Sequence, residues 1–101
     1  MIGYLKGKIK SKSDSSILIE VNGVGYEVYM TDTDLSVLNE GVTIEIYTIT
    51  SMNVYEGMRL YGFKTIEEKS IFELIRSEVP NTGNKKALEY LNKIQKSISE
   101  F

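Results

Sequence analysis

The chain has 101 residues, of which 42% are hydrophobic and 26% are charged, so it can form one hydrophobic core but not two full domains. Cysteine and histidine are both absent, which removes the usual zinc ligands, thiol nucleophiles and the common general base at neutral pH. The carboxylates are scattered singly along strand-like segments instead of forming a catalytic pair. The composition therefore argues against an enzyme and predicts no metal and no cofactor.

The absence of cysteine is typical of a reducing compartment. The first residues do not resemble a signal peptide, and no apolar run approaches the length of a membrane span. We therefore expect a cytoplasmic protein.

Charge is distributed unevenly along the chain. Residues 1–12 carry four lysines and no acid, residues 13–58 carry eight acids and no base, and residues 84–101 carry four lysines and two acids. Outward-facing strand positions are commonly charged, so any single charged residue here is explained by exposure to solvent alone. A stretch without bases nevertheless repels nucleic-acid phosphates wherever it faces them.

Three strands are predicted in the first thirty residues. From Leu5 to Ser11, apolar or small residues alternate with lysines, which is the period of a strand with one buried face. The lysines share the other face, where they either contact phosphate or, as we favour, protect an outward or edge strand from pairing. Ile17–Val21 forms the second strand, and Asn22-Gly23 favours a tight hairpin into the third strand, Val24–Met30.

Two further strands follow a short helix. Thr31–Asp34 offers capping side chains ahead of Leu35, which predicts one or two helical turns before Glu40-Gly41. Val42–Met52 alternates as the fourth strand, and Met58–Phe63 completes the fifth. Five strands with a helix between the third and the fourth are typical of a Greek-key barrel of the OB type. We predict that this barrel domain spans residues 1–63.

A first helix is predicted immediately after the barrel. Thr65 and Glu68 have the spacing of a capping box, in which each side chain satisfies a backbone N–H at the start of a helix. Pro80 disfavours helical geometry at the residue before it, so this helix ends near Ser77 or Glu78. The predicted apolar face consists of Ile71, Phe72, Leu74 and Ile75.

A second helix follows the turn Asn81–Asn84 and begins at about Lys85. Its apolar residues recur at helical spacing: Ala87, Leu88, Leu91, Ile94 and Ile98. Residues 64–101 are therefore predicted to form a helix-hairpin-helix region. The predicted fold class is mainly β with an α extension (α+β), a five-stranded OB-fold Greek-key barrel followed by a helix-hairpin-helix.

Four groups of residues in this order carry a family resemblance over about 75 residues. They are Met1-Ile2-Gly3 with Leu5 and Gly7, Ile19-Glu20-Val21 with Gly23 to Val28, Leu60-Tyr61-Gly62-Phe63, and Phe72-Glu73-Leu74-Ile75. Together they resemble the N-terminal part of the RuvA family of bacterial Holliday-junction proteins. The resemblance implies a non-catalytic homotetramer that binds a four-way DNA junction for branch migration in recombination and repair, with ATP hydrolysis in the RuvB partner.

The resemblance also implies a phosphate-binding turn. In this family, helix-hairpin-helix units bind the phosphates of the junction arms, and the second glycine of the family's Gly-hydrophobic-Gly hairpin falls on Gly83. The candidate phosphate contacts are Thr82, Gly83, Asn84, Lys85 and Lys86. The plainer interpretation is a simple helix-helix turn with solvated lysines.

An acidic pin at the junction centre is the second implied site. The family places it on the loop between the fourth and fifth strands, where Glu56 matches one acid and Tyr55 replaces its neighbour. A pair of unit charges 4 Å apart in water is worth only about 1 kcal/mol, so half the pin charge should weaken strand separation without abolishing binding. Tyr55 could instead stack on an unpaired base.

Three departures from the family pattern leave an alternative open. Asn81 replaces the first glycine of the hairpin, Val79-Pro80 lengthens it by two residues, and the family's second helix-hairpin-helix and RuvB-contacting C-terminal domain are not in the 101 residues. We expect a fragment or a shortened relative that does not recruit the motor by the usual route. The alternative function is an OB-fold protein-interaction or assembly module that has lost DNA binding.

Overall fold

A computed structural model describes residues 1–100, and Phe101, the last residue of the predicted helical region, lies outside the described residues. The elements in chain order are β1 (Tyr4–Lys12), β2 (Ser16–Val21), β3 (Val24–Tyr29), α1 (Asp32–Val37), β4 (Thr43–Asn53), β5 (Gly57–Phe63), α2 (Ile66–Glu78) and α3 (Asn84–Ser99). The predicted order of elements is confirmed. Each strand boundary lies within one residue of its predicted position.

The five strands close into a barrel in the order β1-β2-β3-β5-β4. Strands β3 and β5 pair in parallel, and the other neighbours pair antiparallel, which is the predicted OB arrangement. Strand β1 is hydrogen-bonded on both sides, to β4 and to β2. The lysines of β1 point outward, but they do not protect an edge, because closure leaves this strand without one. Lys10 lies 3.9 Å from the Glu20 carboxylate on β2.

Two hydrophobic clusters stabilise the fold. The first fills the barrel, and the second lies between the outer barrel wall and the two long helices. In the second cluster the rings of Phe63 and Phe72 lie 4.9 Å apart, and Ala87 and Leu91 of α3 pack beside them. β5 ends at Phe63 as predicted, while the division of the chain into two domains at that point stays a prediction.

The helices bury less of their apolar faces than predicted. Phe72 is fully buried, but Leu74 is 60% exposed, so its assignment to the buried face of α2 is wrong. Residue 74 lies two positions after Phe72, about 200° around the helix, and therefore points away from the barrel. On α3, Ile94 and Ile98 are also exposed, so the predicted apolar stripe of this helix is buried only as far as Leu91.

Both predicted helix caps are present. The Thr31 hydroxyl accepts a hydrogen bond from the N–H of Asp34, and the Thr65 hydroxyl accepts one from the N–H of Glu68, both at 3.1 Å. The Glu68 carboxylate in turn accepts from the Thr65 hydroxyl at 3.1 Å. The bonds to the two threonine hydroxyls satisfy N–H groups that have no partner within the helix. The Glu68 carboxylate meets the hydroxyl of Thr65, where the capping box predicts its backbone N–H.

Polar side chains join α3 to α1. The amide oxygen of Asn92 accepts from both the N–H and the hydroxyl of Thr33, at 2.9 and 2.7 Å. The amide nitrogen of Gln95 donates to the buried carboxylate of Asp34 at 3.3 Å, and the Lys64 ammonium lies 3.4 Å from the same carboxylate. This network orients α3 on the barrel. Among residues 1–100, no helix is long and apolar enough to cross a lipid bilayer.

Candidate nucleic-acid interface

The α2–α3 turn (residues 79–83) carries the first two predicted phosphate contacts, Thr82 and Gly83, and the other three are the first residues of α3. Helix α2 ends where the N–H of Val79 donates to the carbonyl of Ile75 at 3.0 Å. Pro80 follows, and Asn81 adopts a φ of 59°, in the left-handed region that asparagine tolerates better than most residues. The Thr82 hydroxyl donates to the carbonyl of Pro80 at 3.3 Å. The turn is thus held by its own backbone and by one short polar side chain.

Gly83 is the N-cap of α3 and has ordinary extended backbone angles, with φ at −89°. A Cβ added there would meet no atom of residues 1–100 within 4 Å, so the space beside its backbone is open. The carbonyl of Gly83 accepts from the N–H of Ala87 at 3.0 Å. The N–H groups of residues 84–86 precede that bond and therefore have no acceptor within the helix.

The Asn84 side chain is occupied by protein partners. Its amide nitrogen donates to the Ser51 hydroxyl at 2.7 Å, and its amide oxygen accepts a hydrogen bond from the Arg76 guanidinium. Asn84 therefore has its backbone N–H to offer to a phosphate, while its side chain connects α3 to β4 and α2. Lys85 and Lys86 are exposed.

The β4–β5 hairpin loop (residues 54–56) carries the predicted pin. Its base is closed by the side-chain oxygen of Asn53, which accepts from the N–H groups of Tyr55 at 2.7 Å and Glu56 at 3.2 Å. Gly57 then adopts a φ of 72°, and Asn53 pairs with it across the hairpin. The Tyr55 side chain is 93% exposed at the tip of the loop.

Sequence reasoning did not find Arg59, which lies beside the predicted pin. Its guanidinium is 3.6 Å from the Glu56 carboxylate and lies over the Tyr29 ring, 4.7 Å from the centroid. The signal that could have found it is its position as the first base after 46 residues without one, three residues from the pin acid.

A groove of about 750 Å³ lies between α3 and the barrel wall. Glu56 and Arg59 line it from β5 and its preceding loop, and Lys85, Lys93 and Lys96 line it from α3. We call it the charged groove. It brings together one residue from each predicted site, Glu56 and Lys85.

The chain matches the family model described as the RuvA N terminal domain over residues 1–62. It is 50% identical over 101 residues to the Holliday junction branch migration complex subunit RuvA of Elusimicrobium minutum, which covers all of the chain and 50% of that relative. It is 44% identical over 104 residues to the protein of the same name from Endomicrobium trichonymphae, covering all of the chain and 51% of that relative.

A third relative is the Holliday junction branch migration complex subunit RuvA of Rickettsia typhi, with 45% identity over 94 residues, 93% of the chain and 46% of the relative. The chain spans about half the length of the curated relatives it matches. The family model covers the barrel strands, and the relatives extend the match through the α2–α3 turn and α3. On this match, together with the closed five-stranded barrel, the chain belongs to the RuvA family.

Proposed function

We propose that the chain is a DNA-binding subunit that recognises four-way junctions through phosphate contacts. Relatives that are 41–50% identical are named subunits of a Holliday junction branch migration complex. The observation that carries the proposal is the charged groove, into which Lys85 next to the α2–α3 turn and Glu56 of the hairpin loop both open. A cation that attracts phosphate and an acid that repels it then act on the same stretch of DNA.

The proposed phosphate contacts combine backbone N–H groups with side chains. The N–H groups at the start of α3 have no acceptor within the helix, the space beside Gly83 is open, and the helix dipole favours an anion at this end. Lys85 and Lys86 add two positive charges in the first turn of the helix. Thr82 lies one residue before the cap and completes the proposed set. Such contacts carry no base information, so binding is expected to be independent of sequence.

The pin is proposed to act at the centre of the junction. Glu56 repels phosphates and helps to part the strands, while the Arg59 guanidinium at 3.6 Å offsets part of its charge. Tyr55 presents an exposed ring at the loop tip that can stack on an unpaired base, a contact worth about 1–3 kcal/mol. The proposed pin therefore combines one charged side chain, Glu56, with one aromatic side chain, Tyr55.

Assembly is part of the proposal. One turn supplies few phosphate contacts, so useful affinity requires several subunits, as in a homotetramer, to bind one junction at once. The chain itself would catalyse no reaction, and ATP hydrolysis would belong to a RuvB-type partner. Such a protein would act in the cytoplasm, where it meets the chromosomal DNA.

The test is a titration of the chain against a four-way junction and a plain duplex of equal length, with the mass in solution measured alongside. We expect tighter binding to the junction and the mass of an assembly. Lys85→Gln with Lys86→Gln should weaken junction binding roughly tenfold. The matched control is Lys6→Gln with Lys8→Gln, a pair of exposed lysines on β1. Equal losses in the two pairs would mean that net charge, and not the turn, governs binding.

The pin is tested separately by Tyr55→Ala and Glu56→Gln, with Tyr55→Phe as the variant that keeps the ring. Tyr55→Ala should weaken junction binding and local unwinding, read out by a fluorescent base analogue at the junction centre. Tyr55→Phe should behave as the parent does. Unchanged binding and unwinding in Tyr55→Ala would exclude stacking.

The second candidate function is a protein-interaction or assembly module without DNA binding. The observation in its favour is the apolar surface that the helices leave uncovered, with Leu74 60% and Ile98 66% exposed. Tight assembly with no preference for junction over duplex in the titration would support this module and contradict the DNA-binding proposal.

A further inference from the structure

We propose that Ser51 is a positioning residue that holds the α2–α3 turn in a set relation to the β4–β5 hairpin loop, and so gives the chain its selectivity for junctions over plain duplex. The inference rests on the proposed function. It assigns a role to a residue that is not itself one of the proposed DNA contacts. Ser51 lies on β4, five residues before Glu56, and its hydroxyl accepts from the Asn84 side chain at 2.7 Å.

The orientation of the Asn84 amide follows from the chemistry of its other partner. Arginine only donates hydrogen bonds, so the atom of Asn84 that faces Arg76 must be the amide oxygen. The amide nitrogen then faces Ser51 as a donor, and the hydroxyl of Ser51 is its acceptor. The Asn84 amide therefore joins α2, α3 and β4, with its oxygen toward Arg76 and its nitrogen toward Ser51.

Ser51 is placed to carry this connection toward the pin. It pairs directly with Arg59 across the β4–β5 ladder, so both side chains lie on one face of the sheet. It is also two residues from Ile49, which packs in the cluster under α2 and α3, so this face is the one that the helices cover. Arg59 in turn contacts the Glu56 carboxylate at 3.6 Å. The turn and the pin are thus linked through neighbouring side chains at the base of the hairpin.

The two kinds of DNA place different demands on this link. A plain duplex arm needs only the phosphate contacts of the turn, whose N–H groups and lysines remain when Ser51 changes. A junction must meet the turn and the pin at once, so its binding depends on the distance and angle between them. Loss of the hydrogen bond should therefore reduce selectivity and leave duplex affinity unchanged.

The experiment measures dissociation constants for junction and duplex in the parent, Ser51→Ala and Ser51→Thr. We expect Ser51→Ala to bind duplex within twofold of the parent and to lose roughly five- to tenfold in the junction-to-duplex ratio. Ser51→Thr keeps the hydroxyl and should restore the ratio. Ser11→Ala, an exposed serine on β1, is the matched control and should leave both constants unchanged.

A second measurement does not depend on DNA. Amide hydrogen exchange should become faster at residues 87–89 of Ser51→Ala while the barrel strands exchange as in the parent. These are the first amides of α3 that donate within the helix, and their acceptors lie in the turn that has lost its hydrogen bond to β4. Unchanged exchange at these amides would overturn the inference.

The outcomes separate this inference from the proposed function. If the parent chain and Ser51→Ala prefer junctions to the same degree, Ser51 does not have the proposed role, and the proposed function still holds. Equal weakening for junction and duplex would also overturn the inference, since it would mean that Ser51 supports only the fold of the turn. A parent chain without junction preference would remove both.

Discussion

Gly7 shows how tightly the barrel constrains single residues. An added Cβ would lie 2.2 Å from the carbonyl oxygen of Glu20 and 2.9 Å from a methyl carbon of Val21. The oxygen belongs to the backbone of β2, so no change of rotamer can relieve the clash. Gly83 differs, because the space beside it is open within the described residues. The first glycine is required by packing, and the second leaves room for a ligand.

Gly7→Ala should therefore lower the free energy of unfolding by about 1–3 kcal/mol, the usual cost of overpacking a tight contact. Urea unfolding measures the change. Gly3→Ala is the control, because the nearest atom to its added Cβ is the Lys69 ammonium nitrogen at 4.0 Å, and it should change stability by less than about 0.5 kcal/mol. Equal effects of the two substitutions would contradict the packing argument.

At the scale of elements, the position of α3 depends on polar contacts as well as on Ala87 and Leu91. Asn92 and Gln95 hold it against α1, and Asn84 holds its first turn against β4. The burial of Asp34 in this contact has a cost, because a carboxylate that is 1% exposed has lost most of its hydration.

This cost predicts a pH dependence. Burial, with the nearby Glu68 carboxylate, raises the pKa of Asp34 above its ordinary value of 3.8, although Lys64 and the hydrogen bonds from Gln95 and Lys64 oppose the shift. A folded-state pKa above the unfolded one means that ionised Asp34 destabilises the fold. The penalty is complete above the folded pKa, declines as the pH falls through it, and is absent below the unfolded pKa.

Asp34→Asn should accordingly raise the free energy of unfolding at pH 7, and the gain should shrink as the pH falls toward 4. Urea unfolding at four pH values between 4 and 7 measures it. Asp32→Asn removes an exposed carboxylate from the same helix and controls for the change of charge. A gain in the free energy of unfolding that grows as the pH falls would contradict a raised pKa of Asp34.

At the scale of the whole molecule, charge and topology act together. The acid-rich segment 13–58 forms most of the barrel, and α3 brings lysines to the other side of the charged groove. One turn with two lysines neutralises about two phosphates, which gives a slope of about −2 in a plot of log K against log salt. The assembly proposed above requires more contacts than this.

Junction binding should therefore show a slope steeper than about −3, because several subunits release counterions at once. Dissociation constants at four salt concentrations, with the mass of the complex, measure it. Replacing Lys85 and Lys86 by glutamine should flatten the slope. A slope near −2 together with a monomeric mass would exclude binding by several subunits.

The sequence by itself determined the element order and the boundaries of the strands. Strand alternation, the Asn22-Gly23 turn, the Thr31 and Thr65 caps and the stop at Pro80 are local signals, since each depends on backbone preferences within a few residues. The family resemblance likewise came from residues in chain order, and the match over residues 1–62 confirms it.

Only the tertiary structure decided which apolar side chains are covered and which polar ones meet. Leu74 is apolar, as buried residues usually are. The barrel wall contacts the side of α2 that carries Phe72, however, and Leu74 lies on the opposite side. Ser51 and Asn84 are 33 residues apart in sequence and hydrogen-bonded in space, and Arg59 lies over the ring of Tyr29, 30 residues before it. Such pairs form because barrel closure and helix packing set distances that no local pattern records.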